Sequence, residues 1–377
     1  MYKGQFITAL LLTSMNKLIL PNIKYLHIVR GLAALLVVVF HAKFVFWVGG
    51  NIYAEKNGFH SISDYLLFGL DMLSSCGKEC VVIFFILSAF VIRHSFASHH
   101  YSWMNFYKIR LIRIYWPFLL SMLFSIVVLV VCVRYINPAI HTTSLREYNT
   151  RLSAAYDGLS VPQVIKTIFF IYKGEFAGFN YAYWSLGHEL IFYLLFPLYN
   201  RLNRTTILLP AAVFITLFLV TGLSVFYYQL FFLAGLMLYD YFFNLSQQPV
   251  IKSKLLYAFV LAVFFVAVNV ANKAVSEKFS DVVTLLYAFF IFDYIIYYIK
   301  NKNSWLMKLG DISYSLYLNH LPLLLLFYAV ITLYTGQLVF FSRAPYYAGV
   351  VIALVLTVPL YILMEKPSVK YLRKLRQ

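Results

Sequence analysis

The sequence predicts an all-α integral membrane protein with about ten transmembrane helices, and three observations carry that expectation. Of its 377 residues, 62% are hydrophobic and only 12% charged, against about 45 to 50% and about 25% in soluble domains. The apolar residues form one series of long runs divided by short polar joints, the pattern of a polytopic membrane domain. The basic excess, 31 Lys and Arg against 14 Asp and Glu for a net charge of +17, sits in those joints, where it sets topology. Charge so placed gives no support to a nucleic-acid partner; its natural neighbours are anionic membrane lipids.

At roughly 20 apolar residues per crossing, spans fall near 26 to 48, 79 to 98, 112 to 133, 184 to 200, 206 to 224, 226 to 243, 255 to 271, 281 to 299, 312 to 334 and 346 to 364. Only Gly222 to Val225 separates the fifth from the sixth, which makes a tight hairpin. The polar stretch 134 to 163, with Arg146, Glu147, Arg151 and Asp157, is the longest loop. Segment 59 to 75 alternates Phe59, Ile62, Leu66 and Leu70 with Ser61, Asp64 and Asp71, as a helix lying along the interface would. With the N-terminus inside, 20 of the 31 Lys and Arg fall on the cytoplasmic side, so both termini are expected there.

Lys3 followed by Ile7 to Leu12 imitates a signal peptide, but the apolar run is short, Lys17 follows soon and no small-x-small cleavage site appears. Residues 1–20 are read as an N-terminal extension, with Met15 as an alternative start, and residues 21–377 as one transmembrane domain. Three cysteines, Cys76, Cys80 and Cys132, make neither a disulfide framework nor a four-ligand zinc site. No Gly-rich phosphate loop supports a nucleotide-binding reading.

Titratable side chains are costly in hydrocarbon, so each is a functional candidate unless a structural partner explains it. Arg30 and His41 in the first span are eleven residues apart, about 20° past three full turns and roughly 16 Å along the axis. They share one helix face, along which a slender anionic molecule could lie with its headgroup at the arginine. Glu189 in YWSLGHELIFYLLFP lies roughly 7 Å deep from the outer end, close to the roughly 10 Å depth of His41. A carboxylate beside an imidazole fixes its tautomer and raises its basicity, as a general base requires. The competing reading of Glu189 is a structural pair with an arginine. His188 and Glu189 begin like a zinc HExxH helix, but Phe192 occupies the second histidine's place, and no metal is expected. His320 in GDISYSLYLNHLPLL, two residues before Pro322, reads by itself as a helix-packing histidine. Arg110 and Arg113 in FYKIRLIRIYWP face one way on a helix and suit phosphate.

The chain resembles the acyltransferase family 3 membrane proteins, which O-acetylate bacterial surface sugars. The resemblance runs from about Asn22 to Lys370 on NIKYLHIVRGLAALLVVVFHA, with its arginine-x10-histidine spacing, GKECVVIFFILSAFVI, FYKIRLIRIYWP, YWSLGHELIFYLLFP, LGDISYSLYLNHLP and MEKP. Departures from the family pattern are Val82 for an aspartate, with Glu79 nearby, Ala89 for a glycine, His27 for an aspartate and Asn319 for a tryptophan. The resemblance implies a bacterial inner-membrane enzyme that takes an acyl group, acetyl above all, from cytoplasmic acyl-CoA. The acceptor would be a hydroxyl of a lipid-linked or polymeric surface carbohydrate such as O-antigen, capsule or exopolysaccharide. Arg30, Arg110 and Arg113 would hold the donor, His41 would activate the acceptor and Glu189 would orient His41. Ser185, Tyr314 and His320 are candidate oxyanion stabilisers, and Glu79 a further supporting residue. The alternative from the same buried groups is a proton-coupled transporter, though no internal repeat supports it.

Overall fold

The computed structural model describes residues 22–99, 102–143, 146–171, 175–202, 205–244, 248–299 and 304–375. The expected N-terminal extension and the alternative start at Met15 lie outside these residues. Among the described residues the structure is helical, 84% in all, and contains no strands. In chain order the helices are α1 (Leu26–Phe46), α2 (Gly50–Asn57), α3 (Ile62–Leu73), α4 (Gly77–His99), α5 (Trp103–Val131), α6 (Ala139–Thr142), α7 (Glu147–Asp157) and α8 (Val161–Ile168). They continue with α9 (Trp184–Tyr199), α10 (Leu208–Thr221), α11 (Ser224–Asn244), α12 (Lys254–Ala274), α13 (Glu277–Tyr298), α14 (Ser304–Thr335), α15 (Ala344–Leu360) and α16 (Lys366–Leu375).

Among the described residues, eight helices are long and apolar enough to cross a membrane, by length and composition. All ten expected spans fold as helices, but those near 184 to 200 and 206 to 224 are shorter, 16 and 14 residues. The third begins at Trp103 rather than 112, and its added turns bury Phe106, Ile109 and Arg110: the Arg110 guanidinium lies over the rings of Phe106 and Tyr193, 5.5 and 5.8 Å from their centroids. The stretch 134 to 163 is not a loop, since the short helices α6 and α7 form half of it, a π-helical turn (Cys132–Ile136) runs into its start and α8 begins at Val161.

The helices divide into two compact units. The first comprises residues up to Ala33, Lys78–His100 and Leu198–Asp311. Gly222 in the left-handed conformation (φ 68°) ends α10 and makes the tight hairpin into α11 possible. Gly31 of α1 and Gly310 of α14 mark a close crossing, where a Cβ on Gly31 would stand 2.8 Å from the Gly310 nitrogen and one on Gly310 would strike the His27 carbonyl. Arg30 Nη2 donates to the Gly310 carbonyl at 2.8 Å in the same place. Asp293, buried in α13, accepts from Tyr257 Oη at 2.6 Å and from the Val250 amide at 3.1 Å.

The second unit comprises Ala34–Gly77, Tyr101–Pro197 and Ile312–Gln377. Arg146 donates from Nη1 to the Val45 carbonyl (2.6 Å) and from Nη2 to those of Phe44 (2.6 Å) and Trp47 (3.2 Å). Those acceptors lie at the C-terminal end of α1, where backbone carbonyls have no partner within the helix. A cation there also matches the negative end of the helix dipole. α3 starts with a capping box between Ser61 and Asp64. It exposes Ile62, Tyr65, Leu66 and Leu70 and buries Asp71 against Arg343 Nε at 2.7 Å. Its uncovered apolar face is the one expected to meet the membrane interface, whereas the buried Asp71 pair was not legible from alternation alone.

The crossing at Gly310 sets a test. Gly310→Ala must push α1 from α14 in the first unit, and overpacking of this kind costs about 1 to 3 kcal/mol. The detergent-solubilised variant is expected to melt several degrees below the wild type, and an unchanged Tm would refute the close crossing.

Candidate active site

The centre of the second unit is shaped by one missing hydrogen bond. Pro322 lies inside α14; lacking an N–H, it leaves the carbonyl four residues earlier, that of Leu318, without its helical donor. Two buried polar side chains take that carbonyl up, Asn180 Nδ2 at 2.8 Å and Ser121 Oγ at 3.0 Å. Tyr183 Oη bonds both Ser121 and Ser125 at 3.1 Å, which ties α5 and the turn before α9 to this point of α14. Phe118, Met122, Phe176, Leu186 and Leu318 pack around the network.

His320, fully buried, sits between Leu318 and Pro322. Its Nδ1 lies 2.7 Å from the Tyr317 carbonyl and 3.2 Å from that of Leu316. A carbonyl only accepts, so Nδ1 carries the proton and the Nε2 of the neutral ring carries the lone pair. That Nε2 stands 2.8 Å from His41 Nδ1. With both rings neutral, His41 Nδ1 must donate, and His41 Nε2 is left as the basic nitrogen. The rings are nearly parallel, 17° between planes with centroids 4.9 Å apart. Phe40 and Tyr181 meet the His41 ring edge to face, each at 5.2 Å.

This geometry corrects one expectation. The partner of His41 is His320, not Glu189. Glu189 accepts a hydrogen bond from Tyr193 Oη on the next turn of α9. The electrostatic neighbours of Tyr193 include Glu189, Arg110 and Arg113, and those of Tyr314 include Glu189, Glu365, Tyr193 and Arg113. Matching depth along two helices says nothing of the direction in which a side chain points, and Glu189 points into this arginine and tyrosine cluster. Tyr314 donates to the Ile114 carbonyl at 3.2 Å. Glu365, in a π-helical turn (Tyr361–Glu365), accepts from the amide of Ser315 at 3.0 Å and its hydroxyl at 2.6 Å.

Arg110, Arg113, Glu189, Tyr193, Tyr314 and Glu365 thus form a second polar cluster in the same unit. Tyr314 precedes His320 by six residues on α14, about 9 Å of rise. Ser185 Oγ bonds Tyr317 Oη at 2.8 Å, and both hydroxyls reach the Ala182 carbonyl. It therefore steadies the residue whose own carbonyl holds His320. Glu79 belongs to the first unit, where it accepts from Asn272 Nδ2 and, at 2.7 Å, from Ser280 Oγ. Arg30 also lies in the first unit, half-buried, and donates to the Gly310 carbonyl. Sequence reasoning assigned no role to Tyr181, Arg151, Tyr193, Tyr317, Glu365, Asn180 and Ser121. Of these, Glu365, Tyr193 and Tyr317 carried a signal, their places in MEKP, YWSLGHELIFYLLFP and LGDISYSLYLNHLP; Pro322 was the available sign that a carbonyl near His320 would need side-chain donors.

The fold and site define a polytopic helical membrane protein with a buried, hydrogen-bonded imidazole pair and, further along the same helix, a cluster of arginines, glutamates and tyrosines. The family model for the acyltransferase domain of acyltransferase family 3 matches residues 23–364, and the chain belongs to that family. Neither the curated proteins nor the solved structures contain a match to it.

The tautomer argument predicts the behaviour of the pair. His320→Phe removes the acceptor for His41 Nδ1–H, and acyl transfer is expected to fall about a hundredfold or more. His320→Gln, whose amide oxygen can accept the same bond, should recover part of that loss. In ¹⁵N spectra the wild-type His41 should be protonated at Nδ1, and a protonated Nε2 at neutral pH would contradict the assignment.

Proposed function

We propose that this membrane acyltransferase moves an acyl group, acetyl above all, from cytoplasmic acyl-CoA to a hydroxyl of a bacterial surface glycan across the inner membrane. The observation that carries the reading is the His41–His320 pair in a chain of acyltransferase family 3. His41 Nε2 takes the proton from the acceptor hydroxyl as its oxygen bonds the thioester carbonyl carbon. The tetrahedral intermediate collapses with cleavage of the C–S bond, and the proton on His41 passes to the departing CoA sulfur. Products are an O-acyl ester and the free thiol, with no net proton change. His320 accepts from Nδ1–H throughout, which stabilises the transient imidazolium as a hydrogen-bonded orienter does in other imidazole bases. In a variant of the scheme, His41 Nε2 itself accepts the acyl group before the acceptor arrives.

Arg110 and Arg113 receive the donor phosphates, a task that suits the planar guanidinium fork. Tyr193 donates to Glu189 and lies within electrostatic reach of both arginines. Both termini lie in the cytoplasm in this reading, from the distribution of basic residues. Arg30 lies in the first unit and is not placed in this donor site.

Purified protein in nanodiscs, given labelled acetyl-CoA and cell-envelope glycan, tests the reading. Label should appear on the glycan, and His41→Ala should abolish it with insertion intact. Arg110→Ala should raise the KM for acetyl-CoA at least about tenfold, the loss expected for a charged hydrogen bond. Solute counterflow without label transfer would instead support transport. NMR of surface polysaccharide from strains with and without the gene would identify the position that loses its acetyl group.

A further inference from the structure

The segment between α5 and α9 brings a second group of polar side chains to His41, and none has a part in the scheme above. Arg151, from α7, lies over the Tyr181 ring, 5.1 Å from its centroid. Tyr181 in turn meets the His41 ring at 5.2 Å, and Arg151 is itself within electrostatic reach of His41. Arg151 Nε donates to Glu175 Oε1 at 2.7 Å. The other carboxylate oxygen, Glu175 Oε2, has no hydrogen-bond partner, and neither does Tyr181 Oη, although both atoms are shielded from solvent. Two such atoms beside a reactive imidazole are unusual, because buried polar groups are nearly always bonded.

From this arrangement, and resting on the acyltransferase reading, we infer that Arg151, Glu175 and Tyr181 bind the acceptor as a neutral pyranose ring. The unused chemistry is one obligate acceptor, Glu175 Oε2, and one oxygen that both donates and accepts, Tyr181 Oη. Neighbouring sugar hydroxyls, each able to donate and accept, complement that combination. A tyrosine ring at the same place offers an apolar face to sugar C–H groups. Charge selects against an acidic sugar. Arg151 is matched by Glu175 and has Glu147 3.9 Å from its Nη1, while nearby Arg146 is engaged on the α1 carbonyls. A carboxylated ring would meet a cation already neutralised and an unpaired carboxylate oxygen. Hydroxyls arriving at Glu175 and Tyr181 displace the cover over these atoms and satisfy them, which sets the bound sugar against His41.

The test is donor-free, so it separates this inference from the acyltransferase reading. The full chain in nanodiscs is examined by saturation-transfer NMR with methyl pyranosides of glucose, galactose, mannose and N-acetylglucosamine, and with methyl glucuronide. At least one neutral pyranoside should bind, and the glucuronide should bind more weakly. Tyr181→Phe removes only an oxygen without a protein partner, so its Tm and acetyl-CoA affinity should match the wild type. Its sugar affinity should fall about three- to tenfold, the loss of one neutral hydrogen bond, and Glu175→Gln should lower it as well. Absence of neutral-sugar binding to folded wild type, preference for the glucuronide, or equal affinity in wild type and Tyr181→Phe would each overturn the inference. Sugar binding that persists without any transfer of label would count against the acyltransferase reading and leave this one standing.

Discussion

The proline in the middle of α14 denies the helix one backbone hydrogen bond, and the chemistry of the second unit is arranged around the carbonyl it leaves free. An unpaired carbonyl inside a membrane protein is costly because no water is at hand to satisfy it. Ser121 and Asn180 meet that need, and in doing so fix α5 and the approach to α9 against the same turn of helix that carries His320. On the same stretch of helix, His320 Nδ1 is held by the carbonyls of Tyr317 and Leu316. One ring is locked by backbone, and it locks its neighbour.

Two polar centres in one unit divide the labour by charge. The histidine pair is built from neutral groups that share protons over 2.8 Å. The other centre gathers formal charges, two arginines and two glutamates, with Tyr193 and Tyr314 interleaved. Opposite charges offset much of the cost of placing each other in a medium of low dielectric. Separation of the two along α14 keeps the imidazoles out of direct contact with carboxylates, so the basic nitrogen is set by hydrogen bonding alone.

The connection between α5 and α9 serves that centre as well. Arg146 closes the carbonyl end of α1 a few residues beyond His41, while Tyr181 lies against the imidazole itself, with Arg151 over the tyrosine ring. A stretch that reads as polar and unstructured is folded because its arginines have acceptors to reach: helix-end carbonyls for one, Glu175 for the other.

Composition and the length of apolar runs determined the fold class and where the apolar helices run, because the energy of burying a side chain in hydrocarbon is a property of each residue and adds along the chain. The sequence likewise singled out His41, Arg110 and Arg113, since polar groups within apolar runs stand out one by one. Partner choice was decided only by tertiary structure. Whether Glu189 or His320 meets His41 depends on helix rotation and packing, which are not additive along the chain. The same holds for Ser185, Tyr317 and Asn180, whose long-range hydrogen bonds reach 55 to 138 residues away in sequence. Hydropathy fixes how deep a group lies, and only packing fixes what it faces.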